Sequence, residues 1–245
     1  MSSPPTALSP LYRPVGDHGL LVEFGETITQ ETHALVLRLD AALSAKTFEG
    51  FRESVPAYVN VLIDFDPTVA DHKTVQDAVE ALLGGKDTVE VKGETREVLV
   101  CYDDEFAPDL RIVTERTGLG VEELIAAHLQ GDYSVYMYGF APGYAYLAGV
   151  PEPIQLPRKS AAVRNVAAGS VLIAGPQCLV TTLTMPSGWW NIGRSPTQIM
   201  TTGEDHPFLF NVGDRVRFRR IDRRAGAVVT QSGVRDLKGV AVHRA

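Results

Sequence analysis

Val166-Ala-Ala-Gly-Ser-Val-Leu-Ile-Ala-Gly-Pro-Gln177, and then Gly188-Trp-Trp-Asn-Ile-Gly-Arg-Ser-Pro196, set short β-prone runs between glycine and proline punctuation. The same texture spreads outward from Ser134, with strands expected at Val171 to Ala174, Leu179 to Thr184, Ile199 to Thr202 and Arg215 to Ile221. Many short strands separated by turn residues, with little helix between them, predict a barrel or a sandwich. Both tryptophans, many of the tyrosines and three arginines also fall between Tyr136 and Pro196. Large flat side chains on loops with fixed turns point to a shaped concave surface, so the function is sought here.

Upstream the pattern changes. The Ser- and Pro-rich residues before about Tyr12 read as a loose lead-in, and Gly19 to Phe24 as the first ordered element. Thr29 is placed to cap a helix running to about Ala45, with Glu31 in its first turn against the helix dipole. Ala34, Leu35, Leu39, Ala42 and Leu43 recur at helical spacing and mark its buried face. Phe51 to Val55 and Tyr58 to Phe65 read as strands, the latter stopped by Asp66-Pro67. A second helix is expected over Lys73 to Leu83, ended by Gly84-Gly85, and Thr88 to Val91 is β-prone. The order strand, helix, strand, strand, helix, strand is the split βαβ arrangement of ferredoxin-like domains. After Lys92-Gly93, a strand over Glu97 to Tyr102 and helices over Leu110 to Arg116 and Val121 to Leu129 lead into the β-rich part. The fold class is therefore α+β, with domains at 1–93 and 94–245.

Bulk properties narrow the function. The chain has 245 residues, 44% of them hydrophobic and 22% charged, as in a folded globular protein. A net charge of −7 disfavours nucleic acid as a partner, which would call for a basic excess. Arg215, Arg217 and Arg219 share one strand face and read as a solvated outer surface. No apolar run approaches the length that spans a bilayer, and the N-terminus does not resemble a signal peptide. Cys101 and Cys178 lie far apart without metal spacing, which suits free thiols in a reducing, cytoplasmic setting.

Several residues carry candidate chemistry. Arg158, Arg164 and Arg194 sit among Gly, Pro and aromatic residues, and a guanidinium holds carboxylate or phosphate oxygens in two-point contact. Together they predict an anion site. Gln177, at a turn ending a strand, has an amide suited to reading an amide or lactam, although turns use such residues structurally as well. If the chain is extended at Trp189 and Trp190, one ring faces the core and the other walls a pocket. Gly169-Ser170 is a tight turn first and a backbone-amide anion nest second, and no Gly-Lys-Ser/Thr follows it as in a phosphate loop. Cys178 reads as a buried thiol, with no histidine near in sequence to activate it. None of the six histidines is spaced for metal, so no metal is expected; His128, ending the helix that leads into the dense stretch, is the one acid/base candidate.

These residues resemble the KipI family, whose members are also called allophanate hydrolase subunit 1 or the B-type subunit of 5-oxoprolinase. The resemblance is carried by Gly16-Asp17 with Leu21-Val-Glu-Phe-Gly, Val100-Cys-Tyr with Glu105-Phe, and Pro142-Gly143. It continues through Leu156-Pro-Arg, Ala168-Gly-Ser-Val, Ile173-Ala-Gly with Gln177, and Gly188-Trp with Ile192-Gly-Arg, covering nearly the whole chain in order. It implies a ferredoxin-like N-terminal domain followed by a cyclophilin-like β-barrel. It also implies a sister chain similar to allophanate hydrolase subunit 2, the C-type subunit of 5-oxoprolinase, and a lactam-utilisation barrel protein as a further partner. The activity implied is ATP-dependent ring opening of 5-oxoproline or a related cyclic amide, with ATP bound together with the partner. Other members inhibit a sporulation histidine kinase or stand beside urea and allophanate metabolism; peptidyl-prolyl isomerisation would rest on fold analogy alone. In the enzyme reading, Arg158, Arg164 and Arg194 hold carboxylate or phosphoryl oxygens while Gln177 positions the amide, with Trp189 and Ser170 beside them. The chain departs from the family at Ala141 to Tyr144, at Lys159 where an arginine is usual, at Gly175 to Cys178, and at Ser195 where threonine is usual.

Overall fold

Ahead of the run where the sequence places its first element, Leu11–Val15 already forms a strand (β1), which turns at Gly16 (φ +57°) into β2, Gly19–Glu23. The computed structural model describes residues 10–85, 93–201 and 207–222. The chain divides into two compact units, Met1–Lys92 and Gly93–Ala245.

In the first unit, α1 spans Gln30–Ala45, and the Thr29 side chain accepts a hydrogen bond from the Thr32 amide, so the cap expected from sequence is present. Its buried stripe is Thr32, His33, Val36, Leu39 and Leu43, whereas Ala34 is exposed: Val36 takes the core position the sequence reading gives to Ala34. Strands β3 (Phe51–Pro56) and β4 (Asn60–Phe65) follow, then α2 (His72–Gly84), capped by the Asp71 carboxylate on the Thr74 amide. The four-stranded sheet has the order β1-β2-β4-β3, all antiparallel, so β4 lies between the two strands joined by α1. That is the split βαβ core. Its outer neighbour beside β2 is the N-terminal β1 and not a strand after α2, which corrects the expected order; Thr88 to Val91 lies outside the described residues. Leu20, Val22, Val61 and Ile63 from one face of the sheet, Val36 and Leu39 from α1 and Val75 and Val79 from α2 make a core, each burial stabilising by about 1.5–3 kcal/mol.

The second unit begins with β5 (Thr95–Val100), α3 (Leu110–Thr117) and α4 (Val121–Gln130). The strands that follow are β6 (Tyr133–Tyr138), β7 (Ala145–Ala148), β8 (Val163–Val166), β9 (Ser170–Ala174), β10 (Gln177–Val180), β11 (Met185–Ser187), β12 (Trp190–Arg194) and β13 (Arg215–Arg220). Seven strands of this unit form one sheet in the order β12-β9-β10-β7-β6-β13-β5, while β8 and β11 pair as a separate ribbon. The sheet nearly closes on itself. Just after β5, the Cys101 amide donates to the Arg194 carbonyl at 2.8 Å, and at the end of β12 the Arg194 amide donates to the Cys101 carbonyl at 2.9 Å. This single bridge, the seam, brings the two edge strands together and leaves a nearly closed barrel, shielding part of their edges.

Alternation along each strand fills the barrel. Val100, Val135, Leu147, Ile173, Ile192 and Phe218 point inward, while Leu172, Ala174, Leu179 and Trp189 lie on the outer face. Buried Asp214 fastens the closing strand, its carboxylate accepting from the amides of Glu94 and Asn211 and from Arg96 Nε. On the face where the sequence places three alternating arginines, Arg215 pairs with Asp132 and Arg219 with Glu97, while Arg217 is exposed. Two expected strands are corrected: β10 starts at Gln177 and ends at Val180, and of the strand expected over Ile199 to Thr202 the described residues 199–201 supply a single bridge, Met200 to Phe208, while Thr202 lies outside the described residues.

Candidate functional site

Sequence proximity does not become proximity in space for the candidate residues. His128 is fully buried inside the barrel, its Nδ1 2.7 Å from the Tyr102 hydroxyl and its Nε2 3.7 Å from Cys178 Sγ, among the rings of Tyr133 and Phe218. Burial pushes its pKa down to about 3, so the ring is neutral at physiological pH, and it is absent from the lining of the seam cavity described below. The expected acid/base role is corrected to a core role. Cys178, which has no histidine near in sequence, has this one beside it in space; burial nevertheless pushes the thiol up, so no thiolate forms.

Ser170 is also sealed, with its hydroxyl accepting from Asn191 Nδ2. At Gly169-Ser170, read as a tight turn first and an anion nest second, both amides are bonded within the protein: the Gly169 amide donates to the Thr181 carbonyl, and the Ser170 amide to Thr181 Oγ1 and the Ala167 carbonyl. Gln177 opens β10, following the Gly175-Pro176 turn, and its outward face is shared with Ala174 of β9 and Ala148 of β7, its register partners. Trp189 lies on that outer face under the Arg158 guanidinium, 5.4 Å from its ring, with Tyr146 edge-on at 5.9 Å. Trp190 faces the interior, its Nε1 donating to the Pro157 carbonyl, with Arg116 and Lys159 over its ring. The two rings do face opposite ways, but both are buried, so Trp189 is no open pocket wall. Arg164 is exposed on the β8 ribbon.

Lys159, where the resemblance leads one to expect an arginine, is turned away from solvent. Its Nζ lies 2.5 Å from Asp109 Oδ2, and that same oxygen accepts from the Asn191 amide at 2.7 Å. The Lys159 amide donates to the Gly188 carbonyl, so this loop is pinned to the start of α3 and to β12. Its role is to hold the barrel wall.

Arg194 is the candidate that meets open space. A cavity of about 390 Å³ lies over the seam, lined by Arg194, Gly169, Thr182, Ser195, Thr197 and Gln198 among others. Gly169 fits there because its φ is +81° and a Cβ would fall 2.6 Å from the Ser195 carbonyl oxygen. The Arg194 guanidinium gives one hydrogen bond, to the Ala168 carbonyl, and has no carboxylate partner among the described residues. Among those residues no acidic side chain lines the cavity. Ser195 Oγ accepts from the Thr197 amide and Thr197 Oγ1 from the Leu99 amide, each an acceptor role that leaves the hydroxyl hydrogen to donate. Sequence reading misses these hydroxyls, although Ser195-Pro-Thr-Gln directly follows Arg194 and is uniformly polar apart from its proline. Thr182, which lines the cavity, gives its Oγ1 hydrogen to the Pro142 carbonyl, in the turn where Phe140 is 75% exposed in a left-handed conformation (φ +70°). No group of three or more His, Cys, Asp or Glu suited to a metal occurs among the described residues.

A nearly closed barrel preceded by a βαβ unit, with its cavity over the closing seam, defines a carboxyltransferase-type domain: residues 10–210 match the family model of the carboxyltransferase domain, subdomain C and D. The B-type subunit of 5-oxoprolinase from Bacillus subtilis (strain 168) is 35% identical over 221 residues, covering 86% of this chain and 92% of the relative. The chain belongs to this carboxyltransferase-domain family, among the KipI proteins or B-type subunits of 5-oxoprolinase. The crystal structure of TTHA0988 superposes with a TM-score of 0.74 at 31% identity, over 86% of this chain but only 40% of that longer one. The urea carboxylase of Kluyveromyces lactis shares the fold, with a TM-score of 0.72 at 18% identity over 89% of this chain and 22% of its own.

Proposed function

We propose that this chain is a subunit of an ATP-dependent hydrolase of the 5-oxoprolinase type, acting with a sister chain on 5-oxoproline or a related cyclic amide. The observation that carries this reading is the 35% identity to a B-type 5-oxoprolinase subunit across nearly the full length of both chains. That relative is by its name one subunit of several, which supports a heteromeric complex, with a sister chain of the C-type 5-oxoprolinase kind as its partner and a lactam-utilisation barrel protein as a third member. In this reading 1–93 is a ferredoxin-like domain and 94–245 a cyclophilin-like barrel, supported by the split βαβ order and the nearly closed sheet. No helix among the described residues is long and apolar enough to cross a membrane, and we place the complex in the cytoplasm, where the buried thiols Cys101 and Cys178 would stay reduced.

Among the described residues, the lining of the seam cavity does not fit ATP. The seam cavity offers one guanidinium and hydroxyl groups, without a lysine, a phosphate-cradling glycine loop or a carboxylate set for magnesium among the described residues. The nucleotide is therefore assigned to the assembled complex with its partner, and this chain contributes to substrate binding. Arg194 holds negative oxygens there; Arg158 with Gln177 and Trp189 forms a separate outer-face group, and Arg164 stands apart on the ribbon. Co-expression with the sister chain and the barrel protein is expected to give ATP hydrolysis that depends on 5-oxoproline. A complex that assembles but hydrolyses ATP at the same rate with and without 5-oxoproline or a related lactam would sink the proposal.

A further inference from the structure

We infer that the seam cavity is a monocarboxylate-recognition site carried by this chain on its own, and that it excludes polyphosphates. The inference rests on the 5-oxoprolinase reading only for its choice of probe. Its basis is the imbalance of the cavity lining: a half-buried guanidinium that no carboxylate among the described residues neutralises, next to hydroxyls already used as acceptors.

Buried charges are normally paired, because leaving water without a counter-charge is costly. In this chain Arg52, Arg96, Arg111, Arg215, Arg219 and Arg220 each meet an acidic side chain. Arg194 and the half-buried Arg38 do not among the described residues; Arg38 gives its guanidinium to the carbonyls of Leu83 and Gly85, whereas Arg194 borders the cavity and uses one of its five N–H donors, on the Ala168 carbonyl. Arg194 lines a space in which Thr181 and Thr182 already give their hydroxyl hydrogens to backbone carbonyls, while other polar groups still have hydrogens to donate. Ser195 and Thr197 each have a hydroxyl hydrogen left to give, and Gln198 carries an amide. A lining rich in donors and carrying one positive charge is complementary to a group with two acceptor oxygens and one negative charge. That group is a carboxylate, held by the two-point fork of the guanidinium. A triphosphate would bring several charges against this single compensating one.

The seam explains why the group is fixed in place. Arg194 is locked through its own backbone to Cys101 by two hydrogen bonds, and Gly169, whose carbonyl accepts from the Ser195 amide, holds the next residue. The anion-binding side chain thus stands on a rigid junction of two strands, and loop motion does not set its position. Rigid placement is what lets a single guanidinium discriminate by geometry.

Calorimetric titration of the full chain, without partners, tests the assignment. 5-Oxoproline is expected to bind saturably, inorganic phosphate at least tenfold more weakly, and ATP without measurable heat. Arg194→Ala is expected to weaken 5-oxoproline binding at least tenfold, Arg194→Lys to recover part of it, and Thr197→Val to weaken it several-fold with the melting temperature within a few degrees of wild type. Thr197→Val keeps the test informative if Arg194→Ala unfolds the seam. Absence of 5-oxoproline binding, undiminished binding by a folded Arg194→Ala, or phosphate or ATP binding tighter than the carboxylate would each overturn the inference. The two readings separate cleanly. If the assembled complex shows 5-oxoproline-dependent ATP hydrolysis with an unchanged KM in Arg194→Ala, the carboxylate site is wrong and the subunit function stands. If the complex is inactive but the chain binds 5-oxoproline through Arg194, the reverse holds.

Discussion

Asp109 Oδ2 receives both the Lys159 ammonium, at 2.5 Å, and the backbone amide of Asn191, at 2.7 Å, so one carboxylate oxygen ties a loop, the start of α3 and β12 together. Both side chains are largely out of water, at 12% and 13% exposed. Removing one partner leaves the other charge buried and alone. Lys159→Ala is therefore expected to cost about 3 kcal/mol in urea unfolding. Lys159→Arg keeps the charge and should restore most of that stability; equal stability of the alanine and wild-type chains would show that the pair contributes nothing.

Burial holds His128 neutral, with a pKa near 3 against about 6.5 in the unfolded chain. A depressed histidine pKa means that the unfolded state binds the extra proton, so this contribution is complete above about pH 6.5 and lost as the pH falls toward 3. Unfolding free energy is expected to drop between pH 7 and pH 5 by up to about 1.4 kcal/mol per pH unit. The drop should shrink in His128→Gln. An identical slope in that variant would assign the loss to other groups.

Both thiols are buried, and burial raises the pKa of each. Neither Cys101 nor Cys178 should react with iodoacetamide at pH 8 within an hour in the folded chain, and both should be labelled in urea. Mass spectrometry of the native protein settles this, with rapid modification of Cys178 as the contrary result.

At the seam, Gly193 leaves room for the opposite strand: a Cβ there would lie 2.7 Å from Val100 Cγ1 and 3.0 Å from the Cys101 carbonyl oxygen. Gly193→Ala is expected to destabilise the barrel by about 1–3 kcal/mol through overpacking. Gly169→Ala should cost a similar amount through its left-handed backbone and its approach to Ser195, and should weaken ligand binding at the cavity too. Thermal melts of both variants, compared with Gly84→Ala, where nothing lies within 4 Å, check the attribution.

Elements that depend on their own residues are legible in the sequence. The Thr29 cap, the α2 span ending at Gly84 and the alternation of β13 follow from local chemistry. β1 is not, because Pro14 and the Ser/Pro lead-in read as loop; as an edge strand β1 tolerates a proline that a central strand would not. The strand expected through Thr184 ends at Val180, with the Thr181 amide still donating to the Ser170 carbonyl and the Thr182 hydroxyl to the Pro142 carbonyl beyond it. The site is half legible. Arg194 stands out, but sequence proximity groups Arg158 and Arg164 with it, whereas the loop carrying Arg158 lays it over Trp189 on the outer face and the separate β8 ribbon carries Arg164. What binds the seam cavity together is the pairing of Cys101 with Arg194, and no local pattern signals a contact between residues so far apart.

That pairing also fixes the order in which the nascent chain can mature. β5 has β13 as its neighbour in the sheet, and Arg194 as its bridge across the seam, so both partners of the barrel's first strand are synthesised long after it. The first unit's described sheet and helices are complete by Gly84, and can form while the rest is still being translated. β5 must wait, exposing the apolar run Val98, Leu99 and Val100 along an unpaired edge. Synthesis of this protein therefore has a vulnerable interval before closure, in which chaperone capture competes with aggregation, and variants that slow the docking of β13 should be recovered as insoluble chain more than as inactive protein.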